Sequence, residues 1–261
     1  MDGRHDRSPP PFPDAKRIHR ALFGAYYQED IFEKFCGLAP RAMRVFGGRL
    51  PKAMRQRNLI FIHVPRAQGT SIAHALYGKH CIQHYSARYF KTVAPAFWAR
   101  AETFSVLRDP HDRFASAYAF VRSGGTASCR LSDVFLKETE NIRSVDDYLS
   151  FIEARDVFSL DFVMRPQSWF VCDLKTGEPL VNRLFLYGRD QRALVLYLRS
   201  HGVGELPWLN RAIRMPLEFS SRQKARIQKL YADDFALVEK LRSARTVTTR
   251  QILRAMGVAA E

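Results

Sequence analysis

Acidic side chains are scarce in this chain. Its 26 Asp and Glu stand against 41 Lys and Arg, a formal charge of +15 and a pI near 10.0. That imbalance excludes no fold. It favours polyanionic partners: acidic glycan, anionic membrane, nucleic acid or a multiply phosphorylated small molecule. Cysteine is equally sparse. Cys36, Cys81, Cys129 and Cys172 form no C-x-x-C and have no histidine at metal spacing, so reduced thiols are expected and a bound metal is not. No apolar run approaches the length of a membrane span, and the opening "MDGRHDRSPPPFPD" offers no signal-peptide core. A cytoplasmic location is expected. Nucleic-acid motifs are missing too, and aromatics are not interleaved with basic residues in a groove-like stretch, so no nucleic acid partner is expected.

What is present is a core. An apolar fraction of 46% with 19 Phe in 261 residues suits one large domain, or one domain with an appendage. Residues 1–14, rich in Pro and charge, read as a disordered lead. Residues 15–57 read as a basic helical extension whose apolar positions Ile18, Leu22, Tyr26 and Phe32 form a face for the protein's own core. A membrane surface is the alternative for that face, set back by the acidic residues that interrupt it.

Residues 58–261 read as an α/β domain. "NLIFIHV" and "TFSVL" are branched and aromatic runs of the kind buried on both faces of a parallel sheet, and "NRLFLYG" is a candidate third strand. Helices follow the strands. "TSIAHALYGK" has Thr70 or Ser71 as its cap, Pro110 opens "HDRFASAYAFVRS", and Ser144 with Asp147 makes a loose capping box. The last long helix starts at the box Ser220–Gln223 and carries Ile227, Leu230, Tyr231, Val238 and Leu241 on one face. Alternating strands and helices imply a central parallel sheet flanked by helices.

Ligands of such sheets sit beyond the carboxyl ends of the strands, and two turns there carry anion-binding residues. In "PRAQGTS", Gly69 lets backbone approach a ligand, Thr70 and Ser71 offer hydroxyls beside a helix start, and Arg66 adds a planar cationic fork. The Walker A pattern is not met, because its first Gly and its Lys are missing. In "LRDPHDRFASAY", Arg108 ends a strand and Ser116 lies eight residues on, two helical turns in, so the two residues are able to close on one phosphate. Isolated, Arg108 would simply pair with Asp109 or Asp112, and Ser116 would be a small packing residue.

Taken together, these turns resemble those of sulfotransferases that use 3′-phosphoadenosine 5′-phosphosulfate (PAPS), in the branch of carbohydrate 2-O- and 4-O-sulfotransferases and their bacterial relatives. The resemblance continues at "HYSARYF", "MRPQSWFVCD", "LNRAIR" and "LYADDF", and covers roughly residues 58–238. It implies a P-loop-like three-layer fold. It also implies that Arg66, Ala67, Gln68, Gly69, Thr70 and Ser71 hold the phosphosulfate, while Arg108 and Ser116 hold the 3′-phosphate. Arg66 stands where the family has Lys, Ala67 replaces Thr and Gln68 replaces Gly. An Arg cannot serve as a general acid, but it still stabilises charge developing on a leaving phosphate. If the turn needs a positive φ at 68, Gln strains it.

The acceptor's proton needs a base, and His84 in "HYSARYF" is the first candidate. His80 is the runner-up, and His63, inside the first strand, reads as core. Arg88, Arg165 and Arg214 are candidates for an acidic acceptor, or else solvated surface charges. The expected partner is a hydroxyl-bearing acceptor, a glycan or glycolipid, with peripheral membrane association open and no metal required. The competing readings are a nucleotide- or polyanion-binding relative weakened by the changes at 66–68, and a P-loop kinase.

Overall fold

The computed structural model describes residues 20–46, 50, 52–78, 84–126, 129–204, 206 and 217–255. Helices α1 (Gln28–Leu38), α2 (Pro40–Phe46) and α3 (Lys52–Arg57) lead into β1 (Leu59–Ile62). Then come α4 (Gly69–Tyr77), α5 (Ala87–Val93), the single turn α6 (Pro95–Trp98), β2 (Glu102–Leu107) and α7 (Pro110–Arg122). A short hairpin of β3 (Gly125–Thr126) and β4 (Cys129–Arg130) precedes α8 (Asp133–Glu138), α9 (Val145–Glu153) and α10 (Ser168–Val171). β5 (Arg183–Leu186), α11 (Gln191–Ser200), α12 (Ser221–Leu230) and α13 (Ala232–Ala255) follow.

The chain is mixed α/β around a parallel sheet in the order β1-β2-β5. Register runs Leu59 opposite Glu102 and Ile62 opposite Ser105, then Phe104 opposite Arg183 and Leu107 opposite Leu186. Every residue of β1 is buried, because alternate side chains enter different cores. Ile60, Ile62, Leu184 and Leu186 join Cys36, Met43, Met54, Phe90, Phe170 and Val238 on one face. Leu59, Phe61, Phe104, Val106 and Phe185 meet Ile72, Leu76, Leu194 and Leu198 on the other. Period-2 alternation with both faces covered is what makes the strands read as unbroken apolar runs. A third cluster binds α7, α8, α9 and α12 through Phe114, Phe135, Tyr148 and Ile227.

Local signals are realised at several ends. Ser144–Asp147 and Ser220–Gln223 form complete capping boxes. The final helix departs from expectation: it breaks at Tyr231, which is the C-cap of α12 (φ −119°, ψ 33°). The buried Tyr231 hydroxyl donates to the carbonyl of Met164 at 2.7 Å, and the new start puts Asp234 in the first turn of α13.

The segment before β1 shares the core of the sheet. Asp30 and Glu33 on α1 are buried. Tyr26 and Phe32 pack against the core as expected, whereas Leu22 is 71% exposed. Ile18 lies outside the described residues. Cys36 and Cys172 are buried free thiols and Cys129 is an exposed one. Among the described residues no helix is long and apolar enough to cross a membrane.

Candidate anion site at the carboxyl end of the sheet

Past β1 the chain runs through His63, Val64 and Pro65 into a turn at Arg66–Gln68, and α4 opens at Gly69. Arg66 and Gln68 both adopt left-handed φ, +66° and +67°. Each costs a non-glycine residue about 1–2 kcal/mol, and such strain persists only where the surroundings over-determine it. Two contacts do so. Arg113 of α7, buried to 2% exposure, donates Nε to the carbonyl of Pro65 at 3.0 Å. His63 sits directly under the helix start: a Cβ on Gly69 would lie 1.7 Å from His63 Cδ2. His63 is therefore just past the strand rather than in it, buried beneath the turn. This close approach draws the helix start back, so Gln68 is the N-cap. Thr70 and Ser71, the expected caps, lie in the first turn, and Ala67 is buried.

The second turn is built differently. Asp109 caps α7 by accepting from the backbone N–H groups of His111 and Asp112 at 3.0 and 3.2 Å, with Pro110 in the first turn. Its carboxylate also pairs with Arg242 at 3.0 Å. Gln167, fully buried, clasps the backbone of Arg108 from both sides. Its Oε1 accepts from Arg108 N–H and its Nε2 donates to Arg108 carbonyl, each at 2.8 Å. Gln167 is fixed in turn by Asp234, which accepts from the N–H groups of Gln167 and Ser168 at 2.7 and 2.8 Å. Burial pushes the Asp234 carboxyl above its usual range, opposed by Arg113 and these two N–H donors.

Neighbouring parallel strands bring the turns together. Ser105 Oγ donates to the carbonyl of Ile62 at 2.7 Å, tying the ends of β1 and β2. Arg66 Nε donates to Ser116 Oγ at 3.1 Å, and Arg108 Nη1 reaches the carbonyl of Arg66 at 3.5 Å. The serine expected to close with Arg108 is thus held by Arg66. The reason lies on α7, where Ser116 and Phe120 are one turn apart on one face: the Arg66 guanidinium spans both, with Cζ 4.9 Å from the Phe120 ring centre. Arg108 lies over the Tyr187 ring, beyond β5, at 5.2 Å. Burial, then the charge of Arg108, pushes the Arg66 guanidinium down to about 10, so it stays a cation at neutral pH. Among the described residues, the buried atoms Gln68 Oε1 and Arg113 Nη2 have no hydrogen-bond partner. Crowded cations and an unspent guanidinium N–H at a helix start make an arrangement suited to an anion.

His84 packs behind the first turn. Its ring centre lies 4.4 Å from that of His63 and 5.2 Å from that of Phe162. Its Nδ1 lies 3.3 Å from the carbonyl oxygen of His63. That oxygen only accepts, so Nδ1 carries the hydrogen and Nε2 keeps the lone pair. Burial lowers the pKa of His84, leaving the ring neutral at pH 7. His80 and Arg214 lie outside the described residues. Neither remaining arginine is a solvated charge: Arg165 is fully buried in a two-pronged pair with Asp30. Arg88 binds Glu33 and the carbonyls of Trp169 and Cys172. Both link α1 to the α5 and α10 side of the core, so they do not assemble with Arg66 and Arg108.

Arg113, Gln167 and Asp234 are the residues that hold the site, and no local pattern marks them as such. They fall in "LRDPHDRFASAY", "MRPQSWFVCD" and "LYADDF", segments that the resemblance spans. No family model, curated protein or solved structure matches the chain.

Proposed function

We propose that the chain is a PAPS-dependent sulfotransferase that moves a sulfuryl group to a hydroxyl, with a carbohydrate as acceptor, on a P-loop-like three-layer fold. The observation that carries the reading is the Arg66–Ser116 hydrogen bond, which joins two strand-end turns into one cationic cradle. The unpartnered Arg113 Nη2 fits an anion as well. PAPS supplies an activated sulfuryl group whose loss leaves a nucleotide bisphosphate. Arg66 and the first-turn N–H groups of α4 bind and stabilise the negative charge of the 5′ end. Arg108, aimed by Gln167, binds the 3′-phosphate, and Ser116 passes from Arg66 to that phosphate on binding. His84 accepts the acceptor's proton at Nε2, held in the right tautomer by the carbonyl of His63.

A nucleotide- or polyanion-binding protein without turnover is the second reading, favoured by the strained φ at Arg66 and Gln68. A P-loop kinase fits less well, because the Asp109 carboxylate is engaged by its helix cap and by Arg242. Calorimetric titration with 3′,5′-bisphosphoadenosine, beside ADP and ATP with Mg²⁺, separates these. Tight binding of the bisphosphate alone is expected, lost by about a hundredfold in Arg108→Ala with the fold intact, as for a half-buried charge-assisted contact. Preference for ATP with Mg²⁺ selects the kinase. Bisphosphate binding without sulfation of any hydroxyl in an acceptor screen selects the binding protein.

A further inference from the structure

The surface before β1 combines projecting apolar side chains with cations. Leu22 is 71% exposed, Phe23 40%, Phe35 41% and Leu38 81%. They form one strip: the Phe23 and Phe35 rings meet edge to face with centres 6.4 Å apart, and Lys34 Nζ donates to the carbonyl of Phe23 at 2.8 Å, fixing the two segments together. Phe35 and Leu38 are three apart on α1 and so share a face. Glu33 and Cys36, turned away from this pair around the helix, are the side chains α1 buries there, so Phe35 and Leu38 are surplus to the core.

The acidic residues of α1, which in the sequence interrupt its basic character, are removed from this surface by folding. Asp30 is fully buried against Arg165. Glu33 is buried against Ser86 and Arg88, and Glu29 is half-buried and engaged within the protein. The exposed charges next to Leu38 are Arg41 and Arg44, one turn apart on α2. We infer that this strip docks on an anionic lipid bilayer, with Leu22, Phe23, Phe35 and Leu38 in the headgroup–acyl boundary and Arg41 and Arg44 on lipid phosphates. A strip of projecting apolar side chains beside exposed arginines needs no matching pocket, which suits a fluid bilayer better than a protein groove. The positive net charge of the whole chain adds attraction in the same direction. The inference is independent of the nucleotide reading, since no residue of the strip takes part in the anion site.

The test is co-sedimentation of the full chain with vesicles of phosphatidylcholine alone or mixed with phosphatidylglycerol. Binding is expected to the mixed vesicles only and to fall steeply as salt is raised. The pair L22D/L38D and, separately, R41E/R44E should each weaken it by at least about tenfold, with bisphosphate affinity and melting temperature unchanged. The control R222E/K224E makes the same charge change at exposed positions on α12 and should leave most of the binding. Equal loss in the control would mean diffuse charge attraction and overturn the inference, as would absent vesicle binding. So would a concentration-dependent dimer that L22D/L38D abolishes, which would make the strip an interface between two copies.

Discussion

The two turns that build the candidate anion site reach similar positions by unlike means. The turn after β2 is locally satisfied: Asp109 caps, Pro110 follows, and α7 starts in unstrained backbone. The turn after β1 places two non-glycine residues at left-handed φ and has no side-chain cap on α4. It is held instead by Arg113 from another helix and by His63 under a glycine. The first is a stable mount for Arg108. The second stores strain beside Arg66, and backbone strain of this kind gathers where a ligand is gripped.

The largest effect that separates the turns should come from Gly69→Ala. A methyl 1.7 Å from the buried His63 ring has no room, and overpacking of this severity costs about 3 kcal/mol. Denaturant unfolding should show that loss together with lost bisphosphate binding, and a neutral result would mean that His63 is free to swing away.

The next largest should be a dependence on pH near neutrality, carried by His84 behind the first turn. Burial holds the folded-state pKa of His84 below its ordinary value, so as pH falls through about 6.5 the unfolded chain takes up the proton first. Stability is therefore full above that range and lost as pH drops toward the depressed folded value, at no more than about 1.4 kcal/mol per pH unit. His84→Gln should flatten this part of the stability profile, and an unchanged slope would assign the dependence to another group.

Smaller effects complete the comparison. Asp109→Ala removes a helix cap and should cost about 1 kcal/mol in the melting curve, with bisphosphate binding largely kept because Gln167 still holds Arg108. Gln68→Gly relieves a left-handed residue and should stabilise by about 0.5 kcal/mol, the relief exceeding the added chain entropy. A loss on Gln68→Gly would show that the Gln68 side chain supports the turn more than its backbone strains it.

Much of this contrast is legible in the residues. Pro110 and the boxes at Ser144 and Ser220 are short-range signals, each satisfied within four positions of its own chain, whereas Asp109, read as a partner for Arg108, caps α7 and pairs with Arg242 instead. Branched runs at 59–62 and 103–107 announce strands covered on both faces, and the strand at 183–186 lies within its candidate run. Positive φ at Gln68 was foreseeable only as a conditional cost, because φ at a non-glycine position is chosen by whatever surrounds it. The break at Tyr231 is invisible to helical periodicity, which runs unbroken through it.

What the sequence determined by itself is the order of strands and helices, the parallel sheet they imply, and the placing of cations at two strand ends. Those features follow from side-chain period and from caps, which act between near neighbours. Only the tertiary structure decided which cation takes which partner. Arg66 rather than Arg108 holds Ser116, Arg165 disappears into a buried pair with Asp30, and Gln167, locked by Asp234, aims Arg108. Such pairings join residues 50 to 135 positions apart. They are fixed when packing removes charges from water and each must find the one complement the interior offers.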